Sequence, residues 1–171
     1  MAVEPMEVVT ATCDAFWDGP GLVQAGAILV SALGVALMIR TNRRIARERA
    51  VLDLMVKEQT DGDMIAARKR FVKLKDVGQM EQYATPEKIT SDEAADIRFI
   101  LNMYEACAIG IKKGAYDESI YKDWCRTTAV KDWQACKGFV ARHQQDFSPA
   151  IWRGFEDMVK RWATAEELRH C

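Results

Sequence analysis

The sequence predicts an all-α fold: an N-terminal transmembrane helix that extends into a stalk, then a helical bundle. Three observations carry this reading. Leu22 to Ile39 is a run of eighteen residues without a charge. Further along, apolar residues recur at three- and four-residue steps between capping residues, as on the buried face of helices. No run of β-branched residues alternates as a half-buried strand would.

At a rise of about 1.5 Å per residue the apolar run is about 27 Å long as a helix, close to the hydrocarbon thickness of a bilayer. Before it stand Glu4, Glu7, Asp14 and Asp18 with no Lys or Arg; after it come Arg40, Arg43, Arg44, Arg47 and Arg49. This bias in basic residues places the arginine side in the cytoplasm and the N-terminus outside. Residues 1–21 then form a short extracytoplasmic leader, 22–39 the span, 40–59 a basic juxtamembrane stalk and 60–171 a cytosolic helical domain. A cleaved secretory signal would need a positive n-region and a small-residue cleavage site, and the chain has neither. A buried core helix of a soluble protein rarely carries such a one-sided arginine block, with Phe16 and Trp17 at an interfacial position on the other flank.

Arg40, Arg43, Arg44 and Arg47 are positioned to contact anionic headgroups, so membrane lipid is an expected partner. Within the span, Gly26 and Gly34 lie eight residues apart, with Ala27 and Ser31 beside them at four-residue spacing. Small residues at such intervals let two backbones approach closely in lipid. They point to a homo-oligomer or to a subunit of a larger membrane complex, against the plainer reading of a lone anchor.

About 130 residues follow the anchor, enough for one domain with a modest core. Basic and acidic residues nearly balance, 24 against 25, and no recognition motif accompanies the basic clusters, so nucleic acid is not an expected partner. The five cysteines, Cys13, Cys107, Cys125, Cys136 and Cys171, are odd in number and include no C-x-x-C pair; the last four fall on the expected cytosolic side, where thiols stay reduced. With only His143 and His170 beside them, no metal site and no cofactor is expected. G-x-S-x-G, H-E-x-x-H and the phosphate-binding G-x-x-x-x-G-K-[ST] are all absent, and no catalytic residue is nominated.

From Arg40 to Lys57 there is neither Gly nor Pro, so the membrane helix continues into the stalk with an intermittent apolar stripe at Ile45, Leu52, Met55 and Val56. Thr60-Asp61-Gly62-Asp63 interrupts it, and Met64, Ala67, Phe71, Leu74 and Val77 mark a second helix. Thr85-Pro86 offers an N-cap followed by proline, and Thr90 to Glu93 has the form of a capping box. The next helix is the best specified, with Ile97, Ile100, Leu101, Tyr104, Cys107, Ala108 and Ile111 on one face and Gly114 as a stop. Asp117 caps a short helix that Thr127-Thr128 ends; Val130, Trp133, Phe139 and Val140 belong to another; Ser148-Pro149 starts the last.

On the wheel of the best-specified helix Glu105 falls on or beside the apolar face, where an unpaired carboxylate would cost several kcal/mol. It requires a partner. Two readings follow: a crosslink to a neighbouring helix through an Arg, Trp or Tyr donor, or a polar pocket in which Asn102, Tyr104 and Glu105 contact a ligand. Asp92, Glu93 and Asp96 form a second cluster, with Asp92 and Asp96 one turn apart as in helical magnesium-binding carboxylate motifs; the plainer reading, which the absence of a facing acidic motif favours, is that acidic residues in a first turn suit the helix dipole for stability alone.

The stretch Ile97 to Glu105, followed by Ala108-Ile109-Gly110-Ile111, Lys113-Gly114 and Tyr116-Asp117-Glu118, resembles a bacterial and phage family known as domain of unknown function 4760. Its I-L-N-x-[YF]-E core falls on Ile100 to Glu105, its G-I-x-x-G turn on Gly110 to Gly114, and its later tryptophan on Trp133. The resemblance implies one membrane helix with a cytosolic helical domain, a bacterial inner-membrane or prophage setting, and no assigned activity. The expected function is a membrane-anchored, non-catalytic interaction or regulatory module. The rivals are a membrane-associated enzyme acting on a small molecule or phosphoester through buried carboxylates, and a structural subunit of a membrane complex.

Overall fold

The computed structural model describes residues 19–169. The expectations attached to Glu4, Glu7, Cys13, Asp14, Phe16, Trp17, Asp18, His170 and Cys171 lie outside the described residues. Every regular element among the described residues is helical: α1 (Gly19–Thr60), α2 (Gly62–Val77), a 3₁₀ turn at Met80–Ala84, α3 (Asp92–Lys112), α4 (Glu118–Asp146), α5 (Arg153–Trp162) and α6 (Ala165–Arg169). The chain divides into two units, residues 1–44 and 45–171.

In the first unit, α1 carries an eighteen-residue window of mean hydropathy 2.3, none of it buried. It is the one helix among the described residues long and apolar enough to cross a membrane. Leu22, Val23, Leu29, Val30 and Leu33 all stand exposed.

The second unit has one core, to which α1 contributes Val51, with no exposed surface, and Leu54 and Met55 packed against it. Ile45, Leu52 and Val56 face outward instead. Of the stripe read for the stalk, Met55 packs inward as expected; the inward face of this part of α1 is 51, 54 and 55, and residues 45–60 belong to the helical unit. Asp61 caps α2, its side chain accepting from the backbone N–H groups of Asp63 and Met64 at 3.0 and 3.1 Å. Ala67 and Phe71 form the buried face of α2, while Val77 is exposed.

Thr85-Pro86 opens a turn rather than a helix, the Thr85 carbonyl accepting from the N–H groups of Lys88 and Ile89. The cap of α3 is Ser91, whose hydroxyl accepts from Ala94 N–H at 3.2 Å; the expected box at Thr90 and Glu93 is out of register by one residue, because Ser91 is the residue that keeps extended backbone. At its far end α3 closes in a Schellman motif: Ala115 N–H bonds Gly110 O at 2.8 Å and Gly114 N–H bonds Ile111 O at 2.9 Å. Gly114 adopts the left-handed φ of 69° that this closure demands. A Cβ on Gly110 would stand 2.4 Å from the Tyr116 ring, so both glycines of the G-I-x-x-G turn have a steric reason.

Thr127-Thr128 does not end a helix, and α4 runs unbroken for 29 residues. Its buried stripe passes straight through the pair, from Tyr121 and Cys125 to Ala129, Val130, Trp133, Cys136, Phe139 and Val140. That burial outweighs the roughly 1 kcal/mol by which two threonines together disfavour helix relative to alanine. Ser148-Pro149 likewise starts a turn, and α5 begins only at Arg153. Trp133, Trp152 and Trp162 are core residues, whereas Trp124 is 37 % exposed.

Gly114→Ala places a side chain on left-handed backbone and is expected to lower stability by about 1–2 kcal/mol. Gly62→Ala, on the first turn of α2 with open space around it, is expected to change stability little. Urea denaturation of the two variants in detergent checks the contrast.

Candidate functional site

The start of α5 lacks a cap of its own. Trp152, at the N-cap position, has φ 52°, a left-handed conformation that costs a non-glycine residue on the order of 1 kcal/mol or more, and its side chain caps nothing. The missing acceptors come from α3. Glu105 accepts from the backbone N–H groups of Gly154 and Phe155 at 3.1 and 2.7 Å, one on each carboxylate oxygen. One turn earlier Asn102 Oδ1 accepts from the Trp152 indole N–H at 2.8 Å. A negative charge against two free N–H groups at a helix N-terminus is stabilised by both the bonds and the helix dipole. Gly154 makes room, since a Cβ there would lie 2.8 Å from Glu105 Oε1.

Asn102 and Glu105 are thus brought together as a clamp on α5, with an indole and two backbone amides as donors. Tyr104, grouped with them in the sequence, serves a different contact. Its ring stacks on Phe155 at 4.4 Å between centroids, and its hydroxyl donates to Asp132 Oδ2 at 2.8 Å. Asp132 has no exposed side-chain surface; it also accepts from Lys75 Nζ at 2.8 Å and lies 2.6 Å from Arg68 Nη1. The Arg68 approach is ionic and poorly directed, leaving Nη1 without a well-formed hydrogen bond. Burial, then the Asp132 charge, push the Tyr104 phenol well above its usual range, so it donates and does not ionise.

Asp92 and Asp96 do not act as a pair. Asp96 receives Arg70 through two bonds, Nε at 2.6 Å and Nη2 at 2.7 Å. Among the described residues no group of His, Cys, Asp and Glu is arranged to hold a metal ion. Burial raises the Cys107 thiol to about 11 and the Cys125 thiol to about 12, which keeps both protonated and poorly nucleophilic.

Beside the Asp132 network lies a cavity of about 270 Å³ that the sequence did not announce. Its apolar walls include Met64, Ile100, Met103 and Trp124, and its polar groups include Glu58, Gln59, Arg68 and Thr128. Glu58 Oε1 is buried with no hydrogen-bond partner. Burial raises the Glu58 carboxyl from the ordinary 4.5 to about 7, only partly opposed by the Arg68 charge. A second hollow, about 680 Å³, runs past the clamp and past His143, whose Nδ1 meets Phe139 O at 3.1 Å while Nε2 has no partner. Burial holds the His143 imidazole below its ordinary value, with the Arg98 charge adding to that, so it stays neutral.

Fold and site together define a helical unit, and the chain also carries a helical segment long and apolar enough to cross a membrane. The family model for a domain of unknown function, DUF4760, matches residues 22–162, and the chain belongs to that family. No curated protein and no solved structure matches it. The match takes in the apolar run, the clamp residues Asn102 and Glu105, and the Asp132 network.

Removing both acceptors with Glu105→Ala is expected to cost about 1–2 kcal/mol in urea denaturation, the scale of a lost helix cap, and Glu105→Gln less. The two titrating groups act oppositely on stability. Between 4.5 and about 7 the folded chain holds a Glu58 proton that the unfolded chain has released, so stability falls as pH rises through that window. The depressed His143 removes stability as pH falls below its ordinary 6.5. Glu58→Gln is therefore expected to flatten the alkaline-going loss and leave the acid-going loss in place, as read from unfolding midpoints across pH.

Proposed function

We propose that the chain is a single-pass protein of a bacterial inner membrane, with its N-terminus outside. It presents the helical unit to the cytosol as a non-catalytic interaction or regulatory module. The observation that carries this reading is the eighteen-residue window on α1, none of it buried, against which lipid is the natural solvent. Arg40, Arg43, Arg44 and Arg47 follow on one side only, which supports the orientation and a contact with anionic headgroups. Gly26 and Gly34 have open space around them, and with Ala27 and Ser31 they leave a surface that a second copy or another subunit's helix can approach closely. In the helical unit, Asn102, Tyr104 and Glu105 engage neighbouring helices of the same chain, which supports a scaffold in place of a reacting centre.

Fusing a cytoplasm-dependent reporter after Cys171 and extracting the membranes with alkaline carbonate tests the topology. The expected result is an active reporter and a protein that leaves the membrane only with detergent. Release by carbonate, or an inactive reporter, would contradict it. Mass determination in mild detergent is expected to give two or more copies or a larger complex, reduced by Gly26→Leu with Gly34→Leu; a monomer throughout would remove the oligomer from the proposal.

A further inference from the structure

The hollow that runs past the clamp, about 680 Å³, falls within the range of about 300–1,000 Å³ usual for small-molecule sites. Ile89, Phe147, Ile151 and Trp152 form the apolar part of its wall, and Phe147 keeps 63 % of its surface exposed. Covering such a ring is favourable in proportion to the apolar area removed from water. Three groups on the same wall are able to carry charge, Arg98, Glu105 and His143. Glu105 is engaged by the N–H groups of Gly154 and Phe155, and burial keeps His143 neutral. Arg98 is different. Its Nη1 donates to Ile89 O at 2.6 Å, which holds the guanidinium at the wall, yet among the described residues Arg98 pairs with no carboxylate. Its Nε and Nη2 groups, unlike Glu58 Oε1 and His143 Nε2, are not closed off from solvent. A cation with donors to spare beside apolar walls selects an anion with an apolar body.

We infer that this hollow binds an apolar monocarboxylate, its carboxylate on the free N–H groups of Arg98 and its hydrocarbon body along Ile89, Phe147, Ile151 and Trp152. One negative charge suits the wall better than two, because Glu105 already places an anion on it and would repel the second charge of a phosphate ester. A cationic ligand finds no free carboxylate there, since both Glu105 oxygens are taken by backbone amides. An uncharged ligand of the same shape gains the apolar contacts and forgoes the charge-assisted bond. Every residue of the hollow belongs to the helical unit, so the inference does not depend on membrane topology. It gives a non-catalytic module a ligand to respond to.

The test is calorimetric titration of the full chain in lipid nanodiscs with octanoate and phenylbutyrate, empty discs serving as the reference. Phenylbutyramide and phenylbutylamine go beside them, the first removing the charge and the second inverting it. The expected result is saturable binding of at least one acid, weaker by about fivefold or more for the amide and the amine. Arg98→Gln, checked for fold by circular dichroism, is expected to lower the affinity for the acid to that for the amide and to leave the amide unchanged, with Arg98→Lys restoring part of the loss. Ala150→Trp, on the exposed turn that lines the hollow, fills it and is expected to abolish binding whatever Arg98→Gln does to the fold. Equal binding of the amide or the amine, indifference to Ala150→Trp, a folded Arg98→Gln that binds the acid as the parent does, or no saturable binding of either acid would each overturn the assignment.

Discussion

A single buried carboxylate holds three helices of this domain to one another. Asp132 on α4 has no exposed side-chain surface, yet it meets Lys75 and Arg68 from α2 and Tyr104 from α3. Taken out of water without those partners, the anion would cost several kcal/mol, so α2 and α3 must dock where their donors can reach it. The position of Tyr104 in turn sets the rotation of α3. With its hydroxyl on Asp132 and its ring stacked on Phe155, the next residue, Glu105, is carried to the free N–H groups that open α5. The cavity follows from the same arrangement, since Arg68 is drawn to Asp132 and Glu58 is left facing the space beside it.

The legible parts of this chain were those that repeat a pattern. The apolar stripe of α3 could be read residue by residue, and Asn102 and Glu105 stood out as polar groups in the wrong place for a solvent face. Their partners could not be read. Two of the three donors are backbone amides, which look the same in every sequence; the faint clue was a helix starting at Arg153 with Trp152, and no Ser, Thr, Asn or Asp, at its N-cap. Asp132 was missed because its neighbours Lys131 and Gln134 make the segment look like a polar surface. The steps from Cys125 to Ala129, Asp132 and Cys136, four, three and four residues, place it squarely in a buried stripe. Glu58 hid in the same way, three residues after Met55 and seven after Val51 on the inward face of α1.

Local preference lost to packing in two places. Thr127 and Thr128 weaken a helix in isolation but sit on the outer side of α4, where the buried residues around them keep the helix continuous. Ser148 and Pro149 form a turn, and the helix waits for Trp152, whose unusual backbone is tolerated because its indole is buried and held by Asn102. The stretches Ile100 to Glu105 and Gly110 to Gly114 thereby acquire physical meaning: the first grips α5 and Asp132, and the second closes α3 and seats Tyr116. Polar groups so fully used in holding helices together leave Glu58 Oε1 as a buried carboxylate oxygen without a hydrogen-bond partner.

The dependence on Asp132 is open to one direct measurement, the free energy of unfolding of Asp132→Ala against the parent chain in urea. Two cations and a phenol stranded without their anion should lower stability by about 3–5 kcal/mol. A loss below about 1 kcal/mol, within the range of an exposed ion pair, would mean that packing alone orders the helices and that the buried carboxylate is incidental.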